Sequence, residues 1–498
     1  MQSKASFMEK TTRDHRKLII TIILVVFGIL FGMVSIVNHL NYRTYGLDLG
    51  IYSKAIYDYG HLRMNDCTFF LSEPGNLMGD HFDLYLIVFA PLQFLFGQYT
   101  LLIVQILSVL FGALGVYRLL KLYTDKELVA IGGMLMLLLQ FGVWHALGFD
   151  YHSNVVAAML LPWLLAAIKK KRYWEASLWL IGMIVSKETT PLWIIFVLVA
   201  LLWDYRKDRK TMLWLGGATL GCIVYLVVVT MVIMPSIGSN TQVLWRYEYM
   251  GHGFGEMAKW MIGHPGKVLQ NFFTNFTGDA DYNGLKLEFA ICLLTSGGLL
   301  ALLKPNYLFM LIPPLGLKML AKDPNAFWGI SYQYNIEICV VVTIAAGLVL
   351  SRAMKGRTQN VVTVVALLLT ATTLVYTVSN PKTKIRKYQL RVYDSRHWHQ
   401  KEINSDAAKR MLNKIPSDAS VCATTLFTPH LAMRDSIYLF PCGLSYNPEY
   451  FLIMDEFFGY YKSDDYDEAA MAKETINDTA KYELLDHDGP LFLLKAKR

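Results

Sequence analysis

Residues 13–60 read RDHRKLIITIILVVFGILFGMVSIVNHLNYRTYGLDLGIYSKAIYDYG, and the uncharged run inside them, Leu18 to Asn38, decides the fold. It is long enough to cross a hydrocarbon core of ~30 Å as a helix. Arg13, Arg16 and Lys17 precede it and no small-residue cleavage site follows, so it reads as an uncleaved signal anchor with the N-terminus inside. The rest of the chain repeats the pattern. Of 498 residues, 54% are apolar and 17% charged, which excludes disorder, collagen and a disulfide-rich secreted scaffold. Further spans are expected near 100–120, 128–146, 155–168, 174–186, 191–203, 211–234, 287–303, 307–320, 336–351 and 360–378, eleven in all.

The loop charges orient these spans. The net charge of +8 lies in short clusters between apolar runs, which points to a bilayer and not to nucleic acid as the partner. The expected inner loops carry Arg118, Lys121 and Lys126; Lys169 to Arg172; Arg206, Lys207, Arg209 and Lys210; Lys304; and Arg352, Lys355 and Arg357. This alternation requires the amphipathic stretch Phe82 to Phe96 to lie in the outer interface without crossing. The outer segments are then 39–99, 147–154, 187–190, 235–286, 321–335 and everything after 379.

Residues 1–379 thus form a multi-spanning membrane domain, and 380–498, where long apolar runs cease, a small extracytoplasmic α/β domain. The expected elements there are a helix over Glu402–Ile415, strands at Ser420–Thr424, Ile437–Phe440, Tyr450–Met454 and Leu491–Leu494, and a helix near 466–483. Cys422 and Cys442 could pair in an oxidising compartment or stand as two buried thiols; the six cysteines show no C-x-x-C pair and no zinc pattern.

The unusual polar residues fall in the outer segments. Asp48 opens a stretch whose Leu49, Tyr52, Ile56 and Tyr59 share a helical face, so it reads either as an N-cap or as a general base at the membrane surface. Asp80 with His81, and Asp150 with His152, are two acid/imidazole pairs facing one compartment, suited to a base, a metal or a phosphate, or to loop capping. Lys187 and Glu188 interrupt some thirty mostly apolar residues; a charge at mid-bilayer costs ~2.5–3.5 kcal/mol or more, so they belong at an interface or in a polar cavity. Arg246 and Tyr247, within Trp245–Tyr249, combine a cation with stacking faces, and Tyr332 and Tyr334 repeat the aromatic theme. An aromatic belt is the competing explanation for both.

Taken together these residues resemble the prokaryotic membrane-protein family of domain of unknown function 2079. The matching elements are DLGIY at 48–52, GDHF at 79–82, FDYH at 149–152, KE at 187–188, IMP at 233–235, RYEYMG at 246–251 and YQYN at 332–335, with IPSDASV at 415–421, TPHLAMR at 428–434 and IYLFP at 437–441. Thr189, where an acid is common, and Gln333, where a histidine is expected, depart from the pattern. The layout is similar to the multi-spanning glycosyltransferases of the C superfamily, which implies a catalytic Asp in the first outer loop, at the position of Asp48.

The resemblance implies a glycosyltransferase of the prokaryotic plasma or inner membrane, moving a sugar from a polyprenyl-phosphate donor to a cell-envelope acceptor with inversion. Asp48 would be the base, and Lys187 and Arg246 would hold the phosphate. Asp80, His81, Asp150 and His152 would orient substrates or a divalent metal ion, the one cofactor considered. A non-catalytic lipid or polysaccharide transporter, or an envelope-binding scaffold, would use the same charges otherwise. Clustering of the charges at one face favours a surface site over a transport path.

Overall fold

The computed structural model describes residues 2–69, 75–238, 246–379, 388–456 and 467–497. Trp245 and the expected start of the C-terminal domain at 380–387 lie outside them. The chain opens with α1 (Gln2–Leu40), whose Ile22, Val25 and Ile29 stay exposed, as lipid-facing side chains must. After the Asp48 turn come α2 (Ile51–Gly60) and a broken apolar stretch leading into α3 (Thr100–Leu120). Next follow α4 (Glu127–Leu138), α5 (Phe141–Leu147), α6 (Ser153–Ala158), α7 (Leu161–Lys169), α8 (Tyr173–Ile184), α9 (Thr190–Asp204) and α10 (Arg209–Val228). Two short helices, α11 (Phe254–Gly263) and α12 (Pro265–Phe273), precede α13 (Leu285–Leu293), α14 (Ile312–Leu320), α15 (Ile336–Arg352) and α16 (Gly356–Ser379).

Six helical segments among the described residues are long and apolar enough to cross a membrane, or seven if the bent pair α4–α5 is one span. Eleven is therefore more than length and composition support, because several expected spans are interrupted. The α4–α5 break, bent by 42°, is held by side chains that satisfy the freed backbone: the Trp144 indole donates to Leu138 O at 2.8 Å, and Gln140 Nε2 donates to Ser296 O at 2.7 Å. Ser296 lies at a second break, where Gly297 takes φ +108°. Close helix packing uses missing side chains: a Cβ on Gly133 would stand 2.2 Å from Leu120, and one on Gly347 2.8 Å from it, so Leu120 is seated between α4 and α15. Phe82 to Phe96 is a series of short helical turns with Ile87, Val88, Phe94 and Leu95 exposed.

The C-terminal part carries α17 (Ser405–Lys414), α18 (Glu468–Asn477) and five strands: β1 (Val421–Ala423), β2 (Ile437–Leu439), β3 (Tyr450–Met454), β4 (Tyr482–Asp488) and β5 (Leu491–Ala496). Their order is β2-β1-β3-β5-β4, with β1 parallel to β2 and β3, and β5 antiparallel to β3 and β4. The helix expected near 466–483 is α18, shorter at its C-terminal end, with residue 466 outside the described residues; strand β4 is an addition to the expected strands. Helix α18 ends at Asn477, and the turn at Asp488-Gly489, with Gly489 at φ +55°, folds Tyr482–Asp488 back onto β5. Cys422 is a buried thiol in β1, not joined to Cys442.

Candidate functional site

The first helical turn after α1, Gly46–Gly50, runs directly into α2. Its opening amides need acceptors, and these come from a distant loop: Asp150 Oδ2 accepts Tyr45 N–H at 2.8 Å and Leu49 N–H at 3.1 Å. Asp48 is therefore not the cap; Asp150 is. The Asp48 carboxylate, 18% exposed, instead faces His152, whose Nε2 lies 3.4 Å from Oδ1. Burial, and then the negative charge of Asp48, push the Asp150 carboxyl well above the usual range against the pull of the two amides. The fully buried Gln105 fixes this loop, accepting His152 N–H at 2.8 Å and donating to Asp150 O at 3.1 Å. Phe149 stacks on the His152 ring at 5.4 Å and meets Tyr332 edge-on at 4.9 Å, which brings Tyr332 to the same place.

A second cluster centres on His81. Lys187 and Glu188 leave the helical path between α8 and α9, so both reach the same imidazole. Lys187 Nζ lies 3.5 Å from His81 Nε2, Glu188 Oε1 3.6 Å from Nδ1, and Asp80 Oδ2 3.8 Å from Nε2. The ring thus sits between Lys187 and Asp80 on its Nε2 side and Glu188 on its Nδ1 side. Glu188 also accepts Phe82 N–H at 3.2 Å, and Leu84 N–H donates to Val185 O at 3.0 Å, stitching the two loops together. Burial resists ionisation of Glu188, yet His81 and Lys187 outweigh it and draw its carboxyl down to about 2. Among the described residues Lys187 forms no ion pair within 4 Å with a carboxylate.

Tyr52 joins the clusters: its buried ring lies within electrostatic reach of Asp48, Asp80, Asp83 and Glu188. Two acids here escaped the sequence reading. Asp83, fully buried, accepts Tyr85 N–H at 2.9 Å; burial raises its carboxyl to about 8 against Lys187 and the Ser153 hydroxyl. Glu337, in α15, accepts from Asn154 Nδ2 at 2.9 Å within reach of the Lys187 charge. Each carried a signal, a carboxyl at the edge of an apolar stretch.

Arg246 and Tyr247 belong elsewhere. Arg246 Nη1 pairs with Asp323 Oδ2 at 2.5 Å and lies over the Phe327 ring, and the Tyr247 hydroxyl donates to Leu317 O at 2.6 Å. Tyr334 stacks on that same Phe327, 4.1 Å between centroids. For a metal the residues do not fit as they stand: among the described residues no three His, Cys, Asp or Glu side chains gather as a ligand set. Asp150 Oδ2 is committed to two amides, and the His81 ring separates Asp80 from Glu188.

The family model of predicted membrane proteins of domain of unknown function 2079 matches residues 38–484. The chain belongs to this family. The matched stretch covers the Asp48 turn, both acid/imidazole loops and strands β1 to β3, and ends within β4. No curated protein matches the chain. Among solved structures, it is similar to the arabinofuranosyltransferase AftD from mycobacteria, at 11% identity and a TM-score of 0.50, over 96% of this chain and 40% of that one. It is also similar to the oligosaccharyltransferase AglB from Archaeoglobus fulgidus in complex with an inhibitory peptide and a dolichol-phosphate, at 12% identity and a TM-score of 0.45, over 88% and 70%. ArnT from Cupriavidus metallidurans is 11% identical with a TM-score of 0.43, over 97% and 98%. The fold is thus similar to that of AftD, a likeness that speaks of fold alone.

Proposed function

We propose that the chain is an integral-membrane glycosyltransferase that moves a sugar from a polyprenyl-phosphate donor to a hydroxyl of a cell-envelope acceptor, at the extracytoplasmic face of a prokaryotic plasma or inner membrane. One observation carries this reading. Around the buried Tyr52 meet a carboxylate that caps nothing, Asp48, and the loop of an ammonium paired with no carboxylate, Lys187. A base and a cation are what displacement at a glycosyl phosphate requires.

In the proposed step the acceptor oxygen bonds to the anomeric carbon as its proton passes to Asp48. The anomeric C–O bond to the donor phosphate breaks on the opposite face, and the phosphate leaves with the electron pair, its growing charge met by Lys187. His152 orients Asp48, and Asp150 holds the turn beneath it. No step is routed through a metal. The test is transfer from a polyprenyl-phosphate sugar in nanodiscs. Asp48→Asn keeps the shape but cannot accept a proton, so turnover should fall by roughly 10²- to 10⁴-fold with donor binding intact. Turnover within about twofold of the parent protein, far short of that loss, would remove Asp48 from the chemistry.

A further inference from the structure

The Asp48 turn is clamped from two sides. From the helical bundle Asp150 takes two of its amides, as described. From the C-terminal domain Thr425 takes another: Gly46 N–H donates to Thr425 Oγ1 at 2.9 Å. The Tyr45 side chain, at the cap position, does not cap the turn, so these two distant residues complete the start of the helix. Gly46 also lacks the side chain that would keep the domain away. A Cβ there would stand 2.4 Å from Thr428 Oγ1 and 3.1 Å from Leu439 Cδ1. Thr428 in turn donates to Thr425 O at 3.0 Å, which fixes the threonine loop from within. The domain is latched at both flanks of this contact: Arg43 donates to His397 O and Arg396 O, each at 2.8 Å, and Arg63 pairs with Asp435 at 2.6 Å.

We propose that Thr425 is a positioning residue of the Asp48 site, through which the C-terminal domain sets the turn that carries the base. The proposal rests on the reading of Asp48 as the base, and it makes the domain a working part of the site. Removing the Thr425 acceptor leaves the Asp150 clamp and both flanking latches in place. The fold therefore survives while the turn gains freedom, and a displacement of about 1 Å at a reacting group can cost on the order of 10²-fold in rate.

The experiment uses the full chain in nanodiscs, with amide hydrogen exchange over residues 43–50 read beside kcat and KM for a polyprenyl-phosphate sugar. Thr425→Val preserves volume and removes the acceptor. It should speed exchange in that segment and lower kcat roughly 10- to 100-fold, with KM and the thermal midpoint close to those of the parent protein; Thr425→Ser should restore both. Gly46→Ala should reproduce the defect by steric pressure, and adding Thr428→Ala should recover part of it. Unchanged exchange in Thr425→Val overturns the proposal. So does a fall in thermal midpoint with kcat and KM altered alike, which would make Thr425 a structural contact only. Faster exchange in Thr425→Val, with no transfer by the parent protein from any polyprenyl donor, upholds the positioning of the turn and sinks the proposed function instead.

Discussion

Two loop clusters each present one cation among aromatic rings, and they treat that cation differently. Arg246 is neutralised by Asp323 at 2.5 Å, with side-chain exposures of 18% and 19%, and is covered by Phe327. Lys187 shares an imidazole at 3.5 Å, with Glu188 on the other ring nitrogen and no carboxylate within 4 Å of the ammonium among the described residues. A guanidinium with a bidentate-capable partner is a closed unit that ties backbone segments together. An ammonium without a direct carboxylate partner keeps its charge for something else. Cation plus aromatics in sequence is therefore a poor predictor of ligand binding until the counter-ion is known.

Several measurements can break or sharpen that contrast. The largest expected effect is on polyprenyl-phosphate affinity: Lys187→Met should weaken it about tenfold or more, since a hydrogen bond to a charged group is worth ~1.5–3 kcal/mol. Lys187→Arg should recover part of the loss, and Arg246→Met should leave affinity unchanged. Titrations in nanodiscs decide, and equal losses in the two Met variants would erase the distinction between the clusters. Arg246→Met should act on stability instead, lowering the unfolding free energy by about 1–3 kcal/mol because Asp323 is left half-buried and unpaired.

A smaller effect lies in the acid range. The folded-state carboxyl of Glu188 is drawn below its ordinary value, so its contribution is present above about pH 4.5 and lost as pH falls toward 2. Melting curves of Glu188→Gln should lack that part of the acid slope; parallel curves for the two proteins would mean that His81 and Lys187 do not hold this carboxylate. Asp83 has the opposite sign. Its raised pKa makes burial progressively costlier as pH climbs from about 4 to about 8, so Asp83→Asn should gain on the parent protein across that window. A constant difference between their midpoints would argue against a buried titrating acid there. Finally, a cysteine at Gln400 should react with an impermeant reagent in intact cells, and labelling only after lysis would place the C-terminal domain, with both clusters, on the cytoplasmic side.

Much of this protein is determined by sequence alone, and the reason is local. Apolar runs specify helices in a bilayer because every backbone group must be satisfied within the segment, and strands such as Tyr450–Met454 follow from a short β-branched and aromatic run. Strand β4 was not legible, since Glu483, Asp486 and Asp488 are of types depleted in strands. Asp48, His81, His152 and Lys187 stood out as polar residues in apolar surroundings. Their roles did not, because a role is set by partners more than 100 residues away. Only the tertiary structure decided that Asp150 caps the turn and leaves Asp48 free, and that Asp323 closes off Arg246. It alone decided that Thr425, a residue with no distinguishing signal in the chain, sits on Gly46. Hydrogen bonds and counter-ions between distant segments depend on packing, and packing is fixed by the whole set of side chains, not by any one stretch of them.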